Sequence, residues 1–180
     1  MLRSMILVGA SVWMTGLLLT SPAQGQVSIQ FDTPIAWTKI STNSSFRVAE
    51  YRLPRTVGDI EDAELVVYYF GGDGGTVEAN LQRWTNQMRQ EDGKPSSEVA
   101  TTTQFEISGF TVTVLDVPGI YAAEVQPGSG MHFFKRNYRL KAAVAETPSG
   151  PYFFKLTGPN ETVSSWESDF LTLLESLSFK

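Results

Sequence analysis

The sequence predicts an α+β fold, an antiparallel sheet of about six strands flanked by helices and preceded by a signal peptide. Three stretches carry that prediction. Ala63 to Arg89 reads as an unbroken apolar strand (AELVVYYF), a glycine turn (GGDGG) and an amphipathic helix with Val77, Leu81, Trp84 and Met88 on one stripe. Tyr138–Thr147 and Tyr152–Thr157 read as a hairpin around Thr147-Pro148-Ser149-Gly150, with proline second and glycine fourth, as a type I turn with a left-handed glycine requires. The C-terminal segment places Val163, Trp166, Phe170, Leu173, Leu174 and Leu177 on one helical face.

Taken in order, residues 1–25 carry one cation at Arg3, an apolar run from Met5 to Leu19 and a small-residue site, Ala23-Gln24-Gly25, before Gln26. This is the pattern of a cleaved secretory signal, and it places the protein in the periplasm or outside the cell. The alternative, a retained anchor, is disfavoured because the run falls short of the roughly 20 residues a span needs. The remaining 155 residues, 26–180, suit a single α+β domain. Cleavage removes Arg3 and no acid, so 13 basic face 19 acidic residues and the formal charge falls from −5 to −6. Such a field repels phosphate backbones and argues against nucleic acid as a partner. The chain has no cysteine, so no disulfide or lipidated thiol is available, and the core alone must hold the fold.

Phe31, Ile35 and Trp37 with Pro34 suggest an edge strand or extended arm, Trp37 serving as a core lid. Phe46–Leu53 alternates, with Ala49, Tyr51 and Leu53 on one side. The Leu65–Phe70 run has no alternation, as expected of a central strand covered on both faces. Thr101–Ser108 and Phe110–Val117 form a hairpin about Gly109, after which Pro118-Gly119 bends the chain before Ile120–Val125. Gln126–Asn137 is a surface loop. In the 138–157 hairpin, Tyr138, Leu140, Ala142 and Val144 form one strand face and Tyr152, Phe154 and Leu156 another, expected to share a register. Asn160 is placed to cap a single last helix.

The run AELVVYYFGGDGGTVEANLQRW, the hairpin end GPYFFKLTGP and the closing F-x-x-L-L-x-S-L from Phe170 to Leu177 resemble a group of uncharacterised bacterial secreted proteins. The order of elements and the terminal helix also resemble the Mog1/PsbP-like fold, an antiparallel sheet between helices. That fold hosts a Ran-binding protein, an extrinsic photosystem II subunit and envelope lipoproteins. The resemblance therefore implies a binding or assembly role and no shared active site. This chain departs from the lipoprotein members in lacking the cysteine.

Two places could carry recognition. In Gly71–Gly75 the backbone around Gly72, Asp73 and Gly74 could approach an anion at a helix N-terminus. The phosphate-loop and dinucleotide patterns both fail there, and Asp73 repels an anion, so a tight reversal capped by Thr76 is the plainer reading. Phe133, Phe134 and Arg136, with Lys135 between and Arg139 and Lys141 beyond, suit a protein surface or anionic headgroups; if the aromatics fold inward, the cations become a solvated strand face. His132 stands alone without cysteines or a nucleophile motif, so no metal, cofactor or catalytic residue is expected. The functional expectation is an exported, non-enzymatic module binding an envelope protein or a small ligand. The alternatives are an apolar-ligand carrier and a hydrolase whose residues come from separate strands.

Overall fold

The computed structural model describes residues 28–72 and 74–179. The signal segment 1–25 and Asp73 lie outside the described residues. The elements in chain order are β1 (Ile29–Gln30), β2 (Thr38–Lys39), β3 (Arg47–Leu53), β4 (Ala63–Tyr69), α1 (Val77–Thr85), β5 (Met88–Arg89), β6 (Thr101–Ile107), β7 (Phe110–Tyr121), β8 (Lys135–Thr147), β9 (Gly150–Pro159), α2 (Asn160–Ser165), α3 (Glu167–Glu175) and β10 (Ser178–Phe179). The main sheet has eight strands in the order β2-β3-β4-β9-β8-β7-β5, with β6 also paired to β7, and every pairing is antiparallel. Six of them, β3, β4, β6, β7, β8 and β9, have seven residues or more, in keeping with the expected number of about six; β2 and β5 are two-residue additions. β1 and β10 form a separate ribbon.

Helices cover both faces. α2 and α3 pack on one face over Ala49, Tyr51 and Leu53 of β3, Leu65 and Val67 of β4, and Phe154 and Leu156 of β9, with Trp37 buried beside them. α1 packs on the other over Leu115, Val117, Leu140, Val144 and Phe153. β4 lies inside the sheet, and Leu65, Val66 and Val67 are buried, as an unbroken apolar strand requires.

Five expectations are corrected. The 138–157 hairpin pairs Val144 with Phe153 and Ala143 with Phe154, so the Tyr138–Val144 set and the Tyr152–Leu156 set occupy opposite faces of the sheet. The cause is the two-residue turn Pro148-Ser149, which sets Thr147 opposite Gly150 (φ +106°) and fixes the parity. Pro118-Gly119 does not bend the chain out of the sheet but continues β7, where the register against β8 slips between Gly119 and Tyr121. A bulge absorbs the irregularity, and Asn137 opposite it takes φ +53°. Met88 is buried as expected but belongs to β5 rather than the helix, which stops at the Asn86 cap. The C-terminal helix is two helices broken at Trp166, whose Nε1 donates to the Pro54 carbonyl and whose ring meets Trp37 edge-on at 6.2 Å. The cap position there belongs to Pro159, and Asn160 is the first helical residue.

Candidate functional site

α1 spans nine residues, about 13 Å at 1.5 Å per residue. A sheet this wide extends about 30 Å across its strands. One helix therefore covers only part of its face, and the bare part is a cleft of about 770 Å³. Its floor comes from Val66 and Tyr68 of β4 and Lys155 and Thr157 of β9; α1 contributes Arg83 and Trp84, and Tyr121 with Phe133 forms the far wall.

Lys155 is the centre of the site. It is half-buried in the otherwise apolar run Tyr152–Leu156, and its Nζ donates to Gln87 Oε1 (2.7 Å) and Tyr121 Oη (3.1 Å), lying 5.2 Å from the Tyr121 ring centroid. Both acceptors are neutral. Burial, reinforced by the nearby Arg83 cation, brings the ammonium pKa down to about 8. Burial likewise pushes the Tyr121 phenol up to about 12. Glu64 is the diagonal neighbour of Lys155 across the β4–β9 ladder, where Val66 pairs with Lys155 and Glu64 with Thr157. Shielding by its surroundings and the charge of Glu50 raise the Glu64 carboxyl above the usual carboxylate range. Arg47 is held by Glu50 at 2.8 Å and lies 5.9 Å from the Tyr68 ring centroid. Aromatic contacts line both ends: Tyr68 stacks on Phe70 (6.0 Å, 6°) and Tyr121 on Phe133 (5.8 Å, 23°).

The residues singled out in the sequence fall in three places. Phe133 lines this cleft, half-buried against Tyr121, and the exposed His132 is at its mouth. Phe134 stays in solvent with the Arg136 guanidinium 5.3 Å from its ring centroid, and Arg136 pairs with Glu91 at 3.0 Å. Lys135 is tied to Glu61 (2.8 Å) and Tyr138 Oη (3.2 Å). Arg139 and Lys141 belong neither to a partner patch nor to a solvated strand face. They point to the α3 side of the sheet, where Asp116 and Glu167 accept from both. Burial pushes the Asp116 carboxyl up, but hydrogen bonds from Arg139 and Lys141 outweigh it and hold it below its ordinary value.

Gly72 and Gly74 lie at the other end of α1. Thr76 caps that helix by accepting from the Ala79 amide (3.2 Å), and Glu78 sits in its first turn. Gly72 (φ +99°) abuts Gly150 of the β8–β9 turn, and a side chain on Gly74 would collide with the Phe153 ring. Close packing of two turns thus accounts for these glycines. The buried Asn80 side chain donates to the carbonyls of Gly74 and Thr76 (2.9 and 2.8 Å), locking the turn to the helix.

Lys155, Tyr121, Tyr68, Glu64, Arg47 and Arg83 escaped the sequence reading. One signal for them existed: a lysine inside a strand of aromatic and aliphatic residues needs a special environment. Among the described residues no three His, Cys, Asp or Glu are grouped as metal ligands, and no helix is long and apolar enough to cross a membrane.

No protein-family model matches the chain, and no curated protein does. Among solved structures, the chain is similar to the crystal structure of PA94, a Pseudomonas aeruginosa protein of unknown function. The TM-score is 0.50 and the identity 13%, over 79% of this chain and 96% of that one. It is also similar to the solution structure of cyanobacterial PsbP (CyanoP) from Synechocystis sp. PCC 6803, with a TM-score of 0.47 and 12% identity over 95% and 98% of the two chains. The likeness to PA94 is one of fold alone.

Proposed function

We propose that residues 26–180 form one exported domain of the bacterial envelope that works by binding a small ligand, with the cleft over Lys155 as its site. The observation that carries this reading is the cleft itself: about 770 Å³ of space over the part of the sheet that α1 leaves bare, floored by mixed charge and closed at both ends by stacked aromatic rings. Its size falls within the usual range of small-molecule sites, roughly 300–1,000 Å³. Export is supported by the charged, apolar and small-residue succession of residues 1–25.

Thermal denaturation against a chemically broad panel of small metabolites tests the binding reading. At least one compound raises the midpoint, and Thr157→Trp, which fills the cleft from β9, abolishes that shift while keeping the fold. A panel that moves neither protein, or shifts that survive Thr157→Trp, overturns it. Fractionation of bacteria expressing the full chain, with mass analysis of the product, tests export. The expected product begins at Gln26 and lies outside the cytoplasm, whereas a full-length cytosolic product refutes it.

A further inference from the structure

Lys155 poses a physical problem. A lysine ammonium has three N–H donors, and here two go to uncharged acceptors, Gln87 and Tyr121. Among the described residues no carboxylate stands within ion-pair distance of its Nζ, and Arg83, the next cation in the cleft, bonds to the neutral Asn80 Oδ1. Lys141, the buried lysine on the opposite face, shows what this fold does when a cation is purely structural: it supplies two carboxylates, Asp116 and Glu167. A cation withdrawn from water without a counter-ion costs stability unless something else brings the charge.

The surroundings narrow what that something is. Tyr68 stacked on Phe70 and Tyr121 stacked on Phe133 present aromatic surfaces on opposite sides of the ammonium, and flat rings are their best partners. Glu64 lies diagonally from Lys155, so a second negative group on the β4 side would meet a carboxyl, which favours a ligand whose charge is confined to one end.

We propose that the cleft binds a planar aromatic molecule bearing one carboxylate, the carboxylate accepting the third N–H of Lys155 on the Arg83 side and the ring lying between the tyrosine-bearing walls. This assignment rests on the binding reading above and adds the ligand class. Titration calorimetry at pH 7 with 2-naphthoate, 2-naphthamide and cyclohexanecarboxylate tests it. 2-Naphthoate binds at least tenfold more tightly than the uncharged amide or the non-aromatic acid. Lys155→Gln, verified as folded by circular dichroism, weakens 2-naphthoate at least tenfold, and Tyr121→Leu weakens it severalfold. Equal binding of acid and amide, unchanged affinity in Lys155→Gln, or no binding of 2-naphthoate overturns the ligand class. If that happens while another compound gives a melting shift sensitive to Thr157→Trp, the class falls and the binding reading stands; if nothing shifts the protein, both fall.

Discussion

Each face of the sheet holds a lysine, buried on one and half-buried on the other, and they treat it in opposite ways. On the α3 side Lys141, together with Arg139, meets Asp116 and Glu167 in a cluster that Ser164 completes. On the α1 side Lys155 meets a glutamine and a phenol. The residues are of one type, on adjacent paired strands, with Lys141 opposite Leu156 and Ala142 opposite Lys155. Strand parity sends one under a helix that carries an acid and the other beside a helix whose C-terminal end brings it Arg83 and the neutral Gln87 but no acid. The difference teaches that charge is neutralised where the fold is finished and left open where it is not, and an open cation in a cleft is a place for a ligand.

Breaking the closed cluster has the largest effect on stability. Asp116→Ala leaves Arg139 and Lys141 sharing Glu167 alone, and denaturant unfolding records a loss of roughly 3 kcal/mol, the scale for a buried pair deprived of one partner. A loss below about 1 kcal/mol would show that the cluster behaves as a surface pair. Next comes the turn that seats α1. Gly74→Ala drives a methyl into the Phe153 ring, which is 1% exposed and cannot swing aside, and costs about 1–3 kcal/mol by the same measurement.

The open lysine responds with the reverse sign. Lys155→Met removes an unneutralised cation and raises stability at pH 7 by up to about 1 kcal/mol. It is the pH profile that identifies the cause. The groups facing Lys155 are Arg47 from β3, Glu64 and Tyr68 from β4, Arg83 from α1 and Tyr121 from β7; burial, with Arg83 and Arg47 lowering and Glu64 raising, gives a folded pKa of about 8 against the ordinary 10.5. Between those values the unfolded chain holds more protons than the folded one, so wild-type stability rises with pH relative to Lys155→Met. The advantage of the variant is largest below pH 8 and vanishes above about 10.5. An advantage that stays constant across that window would assign it to packing instead. Asp116 has the same pH slope but stabilises the fold: its folded pKa lies below the ordinary 3.8, so the stability it gives is present above that value and drains away as acid titrates the folded carboxylate. The smallest effect is at the exposed rim, where Arg136→Ala breaks the pair with Glu91 and shifts unfolding by less than about 0.5 kcal/mol.

Much of the fold was legible because the signals for it are local. Alternation in β3, the unbroken apolar run of β4 and the turn chemistry at Pro148–Gly150 each depend on neighbours in sequence, and all three elements stand where they were expected. The errors are cases where distant contacts overrode a local pattern. Met88 continues the helical stripe but leaves the helix to pair with Tyr121, and the Trp166 stripe is continuous although the helix breaks there to reach Pro54. The candidate site was barely legible. Of the described residues proposed for recognition, Phe133 alone is in the cleft, because the others were chosen for clustering in sequence, while the cleft draws Arg47, Glu64, Arg83, Tyr121 and Lys155 from five elements.

By itself the sequence determined the class of fold, the long strands, the two helical stripes and the electrostatic character of the chain, since periodicity and turn residues act over a few positions. Tertiary structure alone decided which face each cation occupies and which of them has an acid within reach. A side chain one step along a strand changes sides of the sheet, and whether it finds a counter-ion there depends on a helix encoded elsewhere in the chain.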